Sequence, residues 1–120
     1  MQAAITVPPD RLRAIAARLL VAAGAAEADA WIVADHLVGA NLAGHDSHGV
    51  GMLPTYVRAI RGGVVDPRAH ARIEDRGGAV LDVDGQRGFG QVVAREAVAA
   101  GMDRARATGV ALVALRNAAH

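Results

Sequence analysis

Residues 79–94, "AVLDVDGQRGFGQVVA", carry the change from strand to helix that decides the fold class. Val80 and Leu81 begin an apolar run that alternates with acidic residues and ends at Asp84–Gly85, which is the pattern of a strand. The glycine-rich segment that follows has the composition of a turn. A helix is then predicted from Gly90 to about residue 107.

The same pattern extends on both sides of this unit. "GVALVALRN", residues 109–117, reads as a fully apolar strand of the kind found in a covered sheet, and residues 71–74 predict a further short strand. Upstream the spacing is helical, with helices predicted over 6–24, 27 to about 42, and 53–60. The candidate buried residues of the four predicted helices, counting the one that begins at Gly90, include Leu12, Ile15, Ala16, Leu19, Leu20, Trp31, Ala34, Leu37, Val38, Asn41, Val93, Ala97, Ala100 and Met102.

These elements predict an α+β fold. An N-terminal helical bundle, residues 1–66, precedes residues 67–120, which read as the beginning of a mixed sheet-and-helix region. The chain ends at His120, directly after a strand, so we expect it to be an N-terminal fragment of a longer protein.

The composition excludes several classes of function. All 13 basic residues are arginines and there is no cysteine, so this segment has no Schiff-base or P-loop lysine, no thiol nucleophile and no disulfide. Aromatic residues make up 2%, the formal net charge is +1 and no basic run occurs, which disfavours nucleic-acid binding. No uncharged run long enough for a membrane span is found. The lack of cysteine is compatible with a cytoplasmic protein.

The segment "GHDSHGVGM", residues 44–52, concentrates polar chemistry between two predicted helices. His48 is a candidate proton donor, but from spacing alone a capping or loop histidine bonded to backbone is the favoured interpretation. His45 and His48 would converge as metal ligands only on a helical turn, against which Gly44 and Gly49 argue. Ser47 is not expected to pair with His48, since neighbouring residues of an extended loop point apart.

The glycine-rich segment Gly85–Gln91 also has two interpretations. It lies between a strand and a helix, where phosphate-binding loops occur, which would suit a non-enzymatic small-ligand or phosphate-binding module. Its glycine order is the reverse of the dinucleotide fingerprint, and a tight turn that lets backbones approach is the favoured interpretation. His36 and His70 are expected to be ordinary surface or satisfied histidines.

Three blocks of sequence resemble one enzyme family. They are "ANLAGHDSHGVGMLPTYVRAI" at 40–60, "LDVDGQRGFGQVVA" at 81–94 and "ARATGVALVALRNAAH" at 105–120. Together they resemble the malate/L-lactate dehydrogenase family of the second type, a non-Rossmann group that includes ureidoglycolate, sulfolactate and hydroxycarboxylate dehydrogenases and diketogulonate reductase. The resemblance covers nearly the whole chain, in the family's order.

The resemblance implies an oxidoreductase that uses NAD or NADP to interconvert 2-hydroxy acids and 2-oxo acids. By motif match, His48 takes the position proposed as proton donor in some members. His120 takes that of the second histidine, which is proposed as the general base in ureidoglycolate dehydrogenase. Ser47 and Tyr56 take neighbouring substrate-site positions. The resemblance further implies a homodimer, and it places most cofactor-binding residues beyond residue 120, so the fragment alone should be inactive.

One position departs from the family pattern. Several members carry an arginine, a plausible clamp for a carboxylate, where this chain has Met52. Arg58, or a residue beyond His120, would then have to bind the substrate carboxylate. The "GVGM" form is closer to the hydroxycarboxylate dehydrogenase branch.

Overall fold

A computed structural model describes residues 3–119 of the chain. The helices are α1 (Pro9–Ala22), α2 (Glu27–Leu42), α3 (Leu53–Arg61) and α4 (Gly90–Thr108), and the strands are β1 (Arg72–Asp75), β2 (Val80–Asp84) and β3 (Leu112–Arg116). Two short 3-10 turns, Asp46–His48 and Val50–Met52, join α2 to α3. The predicted α+β class and its element order are confirmed.

The first helix begins later than its sequence pattern predicts. Pro8 has an extended backbone (ψ 140°), and α1 starts at Pro9 rather than at Thr6. A proline restricts the preceding residue to extended conformations, and it is well tolerated in the first turn of a helix. The adjacent prolines therefore fix this boundary.

The three strands form one mixed sheet in the order β1-β2-β3. β1 pairs with β2 in the antiparallel sense, and β2 pairs with β3 in the parallel sense through the α4 crossover. Leu81 and Val83 on β2 are buried. α4 packs closely on β3 at Gly101, where an added Cβ would meet Val113 at 2.7 Å.

The prediction of a covered third strand is wrong for the described residues. Leu112 is 63% exposed and Leu115 is 36% exposed. Within residues 3–119, β3 has β2 as its one neighbouring strand, and no described element covers Leu112.

The helices bury smaller residues than the apolar stripes predict. Ile15, Leu19, Trp31 and Met102 were expected in the core but are exposed. α1 and α2 instead meet through alanines and a few larger residues, so the buried face is shifted around each helix. The core residues of these two helices are Ala16, Ala17, Leu20, Ala30, Val33, Ala34, Leu37 and Val38.

One core cluster spans the predicted division at residue 66. Leu53 and Tyr56 from α3 belong to it together with Phe89 and Val92, which lie at the start of α4. The N-terminus of α4 is thereby held against the helices, and this contact creates the cleft described next. Within residues 3–119, no helix has both the length and the apolar character needed to cross a bilayer.

Candidate active site

The histidine-containing loop is a compact 3-10 turn rather than an extended segment. α2 ends ahead of Gly44, whose φ of +79° is readily adopted by glycine. The chain then turns at once over Asp46–His48. As a result Ser47 Oγ lies 3.0 Å from His48 Nδ1, so the expectation that the two side chains point apart is wrong. This contact fixes the orientation of the imidazole.

Asn41 anchors this turn to α2. Its Nδ2 donates to Asp46 Oδ1 at 2.7 Å, and its Oδ1 accepts from the backbone N–H of Val50 at 2.9 Å. Gly49 is buried against the same amide, and a Cβ there would overlap the Asn41 side chain. The apolar pattern of α2 gave no signal for this role. An asparagine one turn before a polar loop is the feature that could have suggested it.

A cleft of about 250 Å³ lies where α2, the turn, α3 and the start of α4 meet. Two of the predicted site residues, His48 and Tyr56, line it together, and Ser47 is bonded to the first of them. Tyr56 is buried, and its ring centre is 6.1 Å from that of Phe89. The lining residues are His36, Leu37, Ala40, His48, Met52, Tyr56, Gly90 and Gln91.

Gln91 is a polar wall residue that the sequence did not single out. Its Nε2 donates to the Tyr56 hydroxyl at 2.9 Å. Its Oε1 is buried and has no hydrogen-bond partner among the described residues. A buried polar atom without a partner is uncommon in proteins, because it has lost its bonds to water and gained none in return.

The predicted second histidine, His120, lies outside the described residues. The residue before it is described. Ala119 N donates to Gly88 O at 2.9 Å, and Gly90 N donates to Ala119 O at 2.7 Å. Gly90 also lines the cleft, so the chain reaches residue 119 at the edge of the cleft that contains His48.

The cleft wall contains no arginine within residues 3–119. Met52 lines it at the position where several family members have an arginine. Arg58, the suggested replacement, is not part of the wall, and its guanidinium donates to Thr55 Oγ1 at 3.1 Å. His48 is exposed in this chain. In the described part of the chain, the wall side chains that can carry a positive charge are those of His36 and His48.

The metal interpretation finds little support in this geometry. The rings of His45 and His48 do converge, with centroids 5.0 Å apart in an edge-on arrangement. No group of three or more potential ligands occurs among the described residues, however. Two histidines without a third protein ligand fall short of the usual zinc site.

The glycine-rich segment is a tight turn, as favoured from the sequence. Added Cβ atoms would meet Asn117 O at Gly85 (2.9 Å) and Ala69 O at Gly88 (2.7 Å). The backbone N–H groups of residues 85 to 88 and of residue 90 already donate to protein oxygens. They are therefore not available to a phosphate group, which weakens the phosphate-binding interpretation.

A second, more polar cleft on the other side of this turn contains His70. The ring of His70 bridges Asp29 Oδ2 (3.2 Å) on α2 and Glu96 Oε1 (2.6 Å) on α4. The hydrogen bond that His70 donates to Glu96, followed by the negative charge of Asp29, raises the pKa of His70 above its usual 6.5. Glu96 also accepts from Ala71 N at 2.7 Å. His70 is thus a satisfied histidine, as expected, and its contacts join helices rather than form a site.

Comparisons with known proteins agree with the fold and the motif. The family model described as malate/L-lactate dehydrogenase matches residues 7–120. Hydroxycarboxylate dehydrogenase B of Escherichia coli O157:H7 is 52% identical over 97 residues, which are 81% of this chain and 27% of that protein. Malate dehydrogenase of Pyrococcus abyssi is 40% identical over 116 residues, which are 97% of this chain and 32% of that protein.

A solved structure gives the same result. Malate dehydrogenase from Pyrococcus horikoshii OT3 superposes with a TM-score of 0.89 at 40% identity, over 97% of this chain and 33% of that one. The chain therefore spans about a third or less of the length of these relatives. All three are named as dehydrogenases.

Proposed function

Since the chain belongs to the malate/L-lactate dehydrogenase family, we propose that it is part of an NAD- or NADP-dependent oxidoreductase that interconverts a 2-hydroxy acid and its 2-oxo acid. The observation that carries the proposal is that His48 and Tyr56 line one cleft, with Ser47 hydrogen-bonded to the imidazole. The cleft volume of about 250 Å³ suits a small acid. It lies below the range of about 300–1,000 Å³ typical of drug-sized ligands.

The proposed role of His48 is to exchange a proton with the substrate oxygen. When bound, a nicotinamide cofactor exchanges a hydride with the substrate carbon. The substrate oxygen then needs a proton in one direction and loses it in the other. Histidine can do both near neutral pH. Ser47 contacts Nδ1 of the imidazole and would orient the ring for this exchange.

We propose that His120 supplies a second proton-transfer or substrate-binding group. The support is the motif match together with the path of the chain, which brings Ala119 beside Gly90 at the edge of the cleft. Tyr56 is proposed to bind the ligand through its hydroxyl. With no arginine in the wall within residues 3–119, His120 or residues outside this chain would neutralise the substrate carboxylate.

The wall also fits a nicotinamide group by its hydrogen-bonding capacity. The buried Oε1 of Gln91 needs a donor, and a carboxamide carries N–H groups. Beyond the cleft, a homodimer, a cytoplasmic location and a division at residue 66 are proposals that follow from the resemblance and the element order.

The proposal is tested on the full-length protein by following oxidation of reduced nicotinamide nucleotides in the presence of a panel of 2-oxo acids. We expect turnover that falls about 10²- to 10⁴-fold in His48→Ala, the range typical of a lost general acid. Ser47→Ala should cause a smaller loss, because the imidazole remains. His70→Gln is the matched control from the other cleft and should keep its kcat.

Turnover that survives His48→Ala would move the proton transfer to another group. A folded protein that turns over no 2-oxo acid and binds neither nucleotide would overturn the proposed function. Circular dichroism of each variant separates a lost fold from a lost proton donor.

A further inference from the structure

The pair formed by Tyr56 and Gln91 has unused hydrogen-bonding capacity on the cleft wall. Gln91 Nε2 donates to the Tyr56 oxygen at 2.9 Å, which leaves the hydroxyl hydrogen of Tyr56 as a donor. Gln91 Oε1 remains as an acceptor, buried and without a partner among residues 3–119. One donor and one acceptor therefore stand side by side.

The presence of one unused donor and one unused acceptor does not depend on how the Gln91 amide is oriented. If the two amide atoms exchange places, the Tyr56 hydroxyl donates to Oε1. The tyrosine oxygen then keeps a lone pair as an acceptor, and Nε2 becomes the unused donor. Either arrangement leaves one unused donor and one unused acceptor on two neighbouring residues that both line the cleft.

The position of Gln91 is held from several sides. It is the second residue of α4, and the first turn of that helix is fixed by the bond from Gly90 N to Ala119 O. Its partner Tyr56 is only 6% exposed, so the hydroxyl has little freedom to turn to solvent. A polar pair that is fixed and incompletely bonded is preorganised for a ligand.

We propose that Tyr56 and Gln91 together form a binding site for a primary carboxamide. A carboxamide presents one carbonyl acceptor and adjacent N–H donors on a single plane, which complements the pair. A carboxylate presents two acceptors and would leave Oε1 unsatisfied, and an aliphatic group would leave both atoms unsatisfied. The inference rests on the proposed function, which supplies two sources of a carboxamide: the nicotinamide ring of the cofactor and an amide on the substrate.

The first arm of the test measures nucleotide binding directly, by fluorescence titration of the full-length protein without any oxo acid. The probes are NADH and its 3-acetylpyridine analogue, which keeps the carbonyl and replaces the amide nitrogen by a methyl group. We expect the wild type to prefer NADH by about 10-fold, the value of one buried hydrogen bond. Gln91→Met, similar in length and without amide atoms, should bind the two nucleotides equally.

Tyr56→Phe is the matched comparison for this arm. With Gln91 Nε2 bonded to the tyrosine oxygen, it removes the donor to the carbonyl, which both nucleotides possess, so it should weaken both and keep the preference for NADH. With the amide atoms exchanged, Tyr56→Phe and Gln91→Met trade these two outcomes, and one of the two variants still loses the preference. Gln91→Asn, a shorter amide, should lose the preference as Gln91→Met does, which keeps the test valid if one variant folds poorly.

The second arm asks whether the carboxamide belongs to the substrate. Its probes are the 2-oxo acid with a terminal amide, 2-oxosuccinamate, and its apolar analogue of the same shape, 4-methyl-2-oxopentanoate. A KM that favours the amide by about 10-fold in the wild type, and no longer does so in Gln91→Met, assigns the site to the substrate.

Two results would overturn the inference. Binding of both nucleotides with no preference in the wild type, together with no preference among the oxo acids, would refute the carboxamide site and leave the proposed function intact. Failure to bind either nucleotide, with no turnover, would remove the proposed function and this inference with it.

Discussion

Replacement of Asn41 by alanine should loosen the turn that positions His48. The backbone N–H of Val50 loses its acceptor at 2.9 Å in a partly buried place, which costs about 1–2 kcal/mol. Loss of the exposed bond to Asp46 adds less than about 0.5 kcal/mol, because water replaces the donor. Alanine returns up to about 0.5 kcal/mol through its better helix propensity. The net cost is about 1–2 kcal/mol, or about 5- to 30-fold in the opening of the turn.

The opening is measured by hydrogen–deuterium exchange with mass spectrometry, on peptides that cover residues 44–53. Exchange of the Val50 amide should accelerate by the same factor in Asn41→Ala. Leu42→Ala is the control, since Leu42 neighbours Asn41 on the same helix, is 62% exposed and makes no bond to the turn. In the full-length protein, kcat should fall with the looser turn.

Asn41→Asp separates the two bonds. It keeps an oxygen for the Val50 N–H but sets a second carboxylate beside Asp46, so the turn should weaken at neutral pH and tighten again as the pH falls toward the ordinary carboxyl range. If Val50 exchanges at the wild-type rate in Asn41→Ala, Asn41 does not anchor the turn and the account of how His48 is positioned is refuted.

Two further changes test the contacts around α4. The hydrogen bond to Glu96 raises the pKa of His70. The stability that this bond contributes is therefore fully present below pH 6.5 and is lost as pH rises through the raised pKa. In urea unfolding, His70→Gln should lower the free energy of unfolding by at most about 1 kcal/mol at this half-exposed position, and the loss should shrink with rising pH. A loss that grows with pH contradicts this account. Gly90→Ala would put a Cβ 2.6 Å from Ala119 O and should lower the free energy of unfolding by about 1–3 kcal/mol in the same assay. The control is Gly39→Ala, which has nothing within 4 Å of its Cβ and should raise that free energy by up to about 1 kcal/mol. Equal stability of the two variants would refute the tight approach at the edge of the cleft.

The strand–turn–helix order was predictable because its signals are local. Alternation at Leu81 and Val83 predicts β2, and the helical spacing after Gly90 predicts α4, without knowledge of any distant contact. The end of α2 near Gly44 was predictable for the same reason. Each of these signals depends on residues within one element or the turn that closes it.

Burial was less predictable, because it depends on which element packs where. The stripes on α1 and α2 contain both large and small apolar residues, and sequence spacing does not tell which side meets the neighbour. The structure buries Ala16 and Ala34 and leaves Ile15 and Trp31 exposed. Leu112 on β3 is exposed because no element of residues 3–119 covers it.

The residues of the candidate site were likewise predictable only where the signal is local. His48, Ser47 and Tyr56 were identified by the motif, since they are close in sequence. Gln91 was missed because 35 residues separate it from Tyr56, and the two meet only when α4 packs against α3. The bond between Ser47 and His48 was missed because the loop was assumed to be extended.

The density of polar residues in "GHDSHG" now has a physical explanation. Asp46 accepts from Asn41, and Ser47 contacts the imidazole of His48, so these two side chains have partners within the structure. Gly49 leaves room for the Asn41 amide. Most of the motif therefore holds a single histidine in one orientation at the cleft. It follows that substitution of Gly49 should impair the site through its geometry, whereas substitution of His48 should impair it through the loss of the proposed proton carrier.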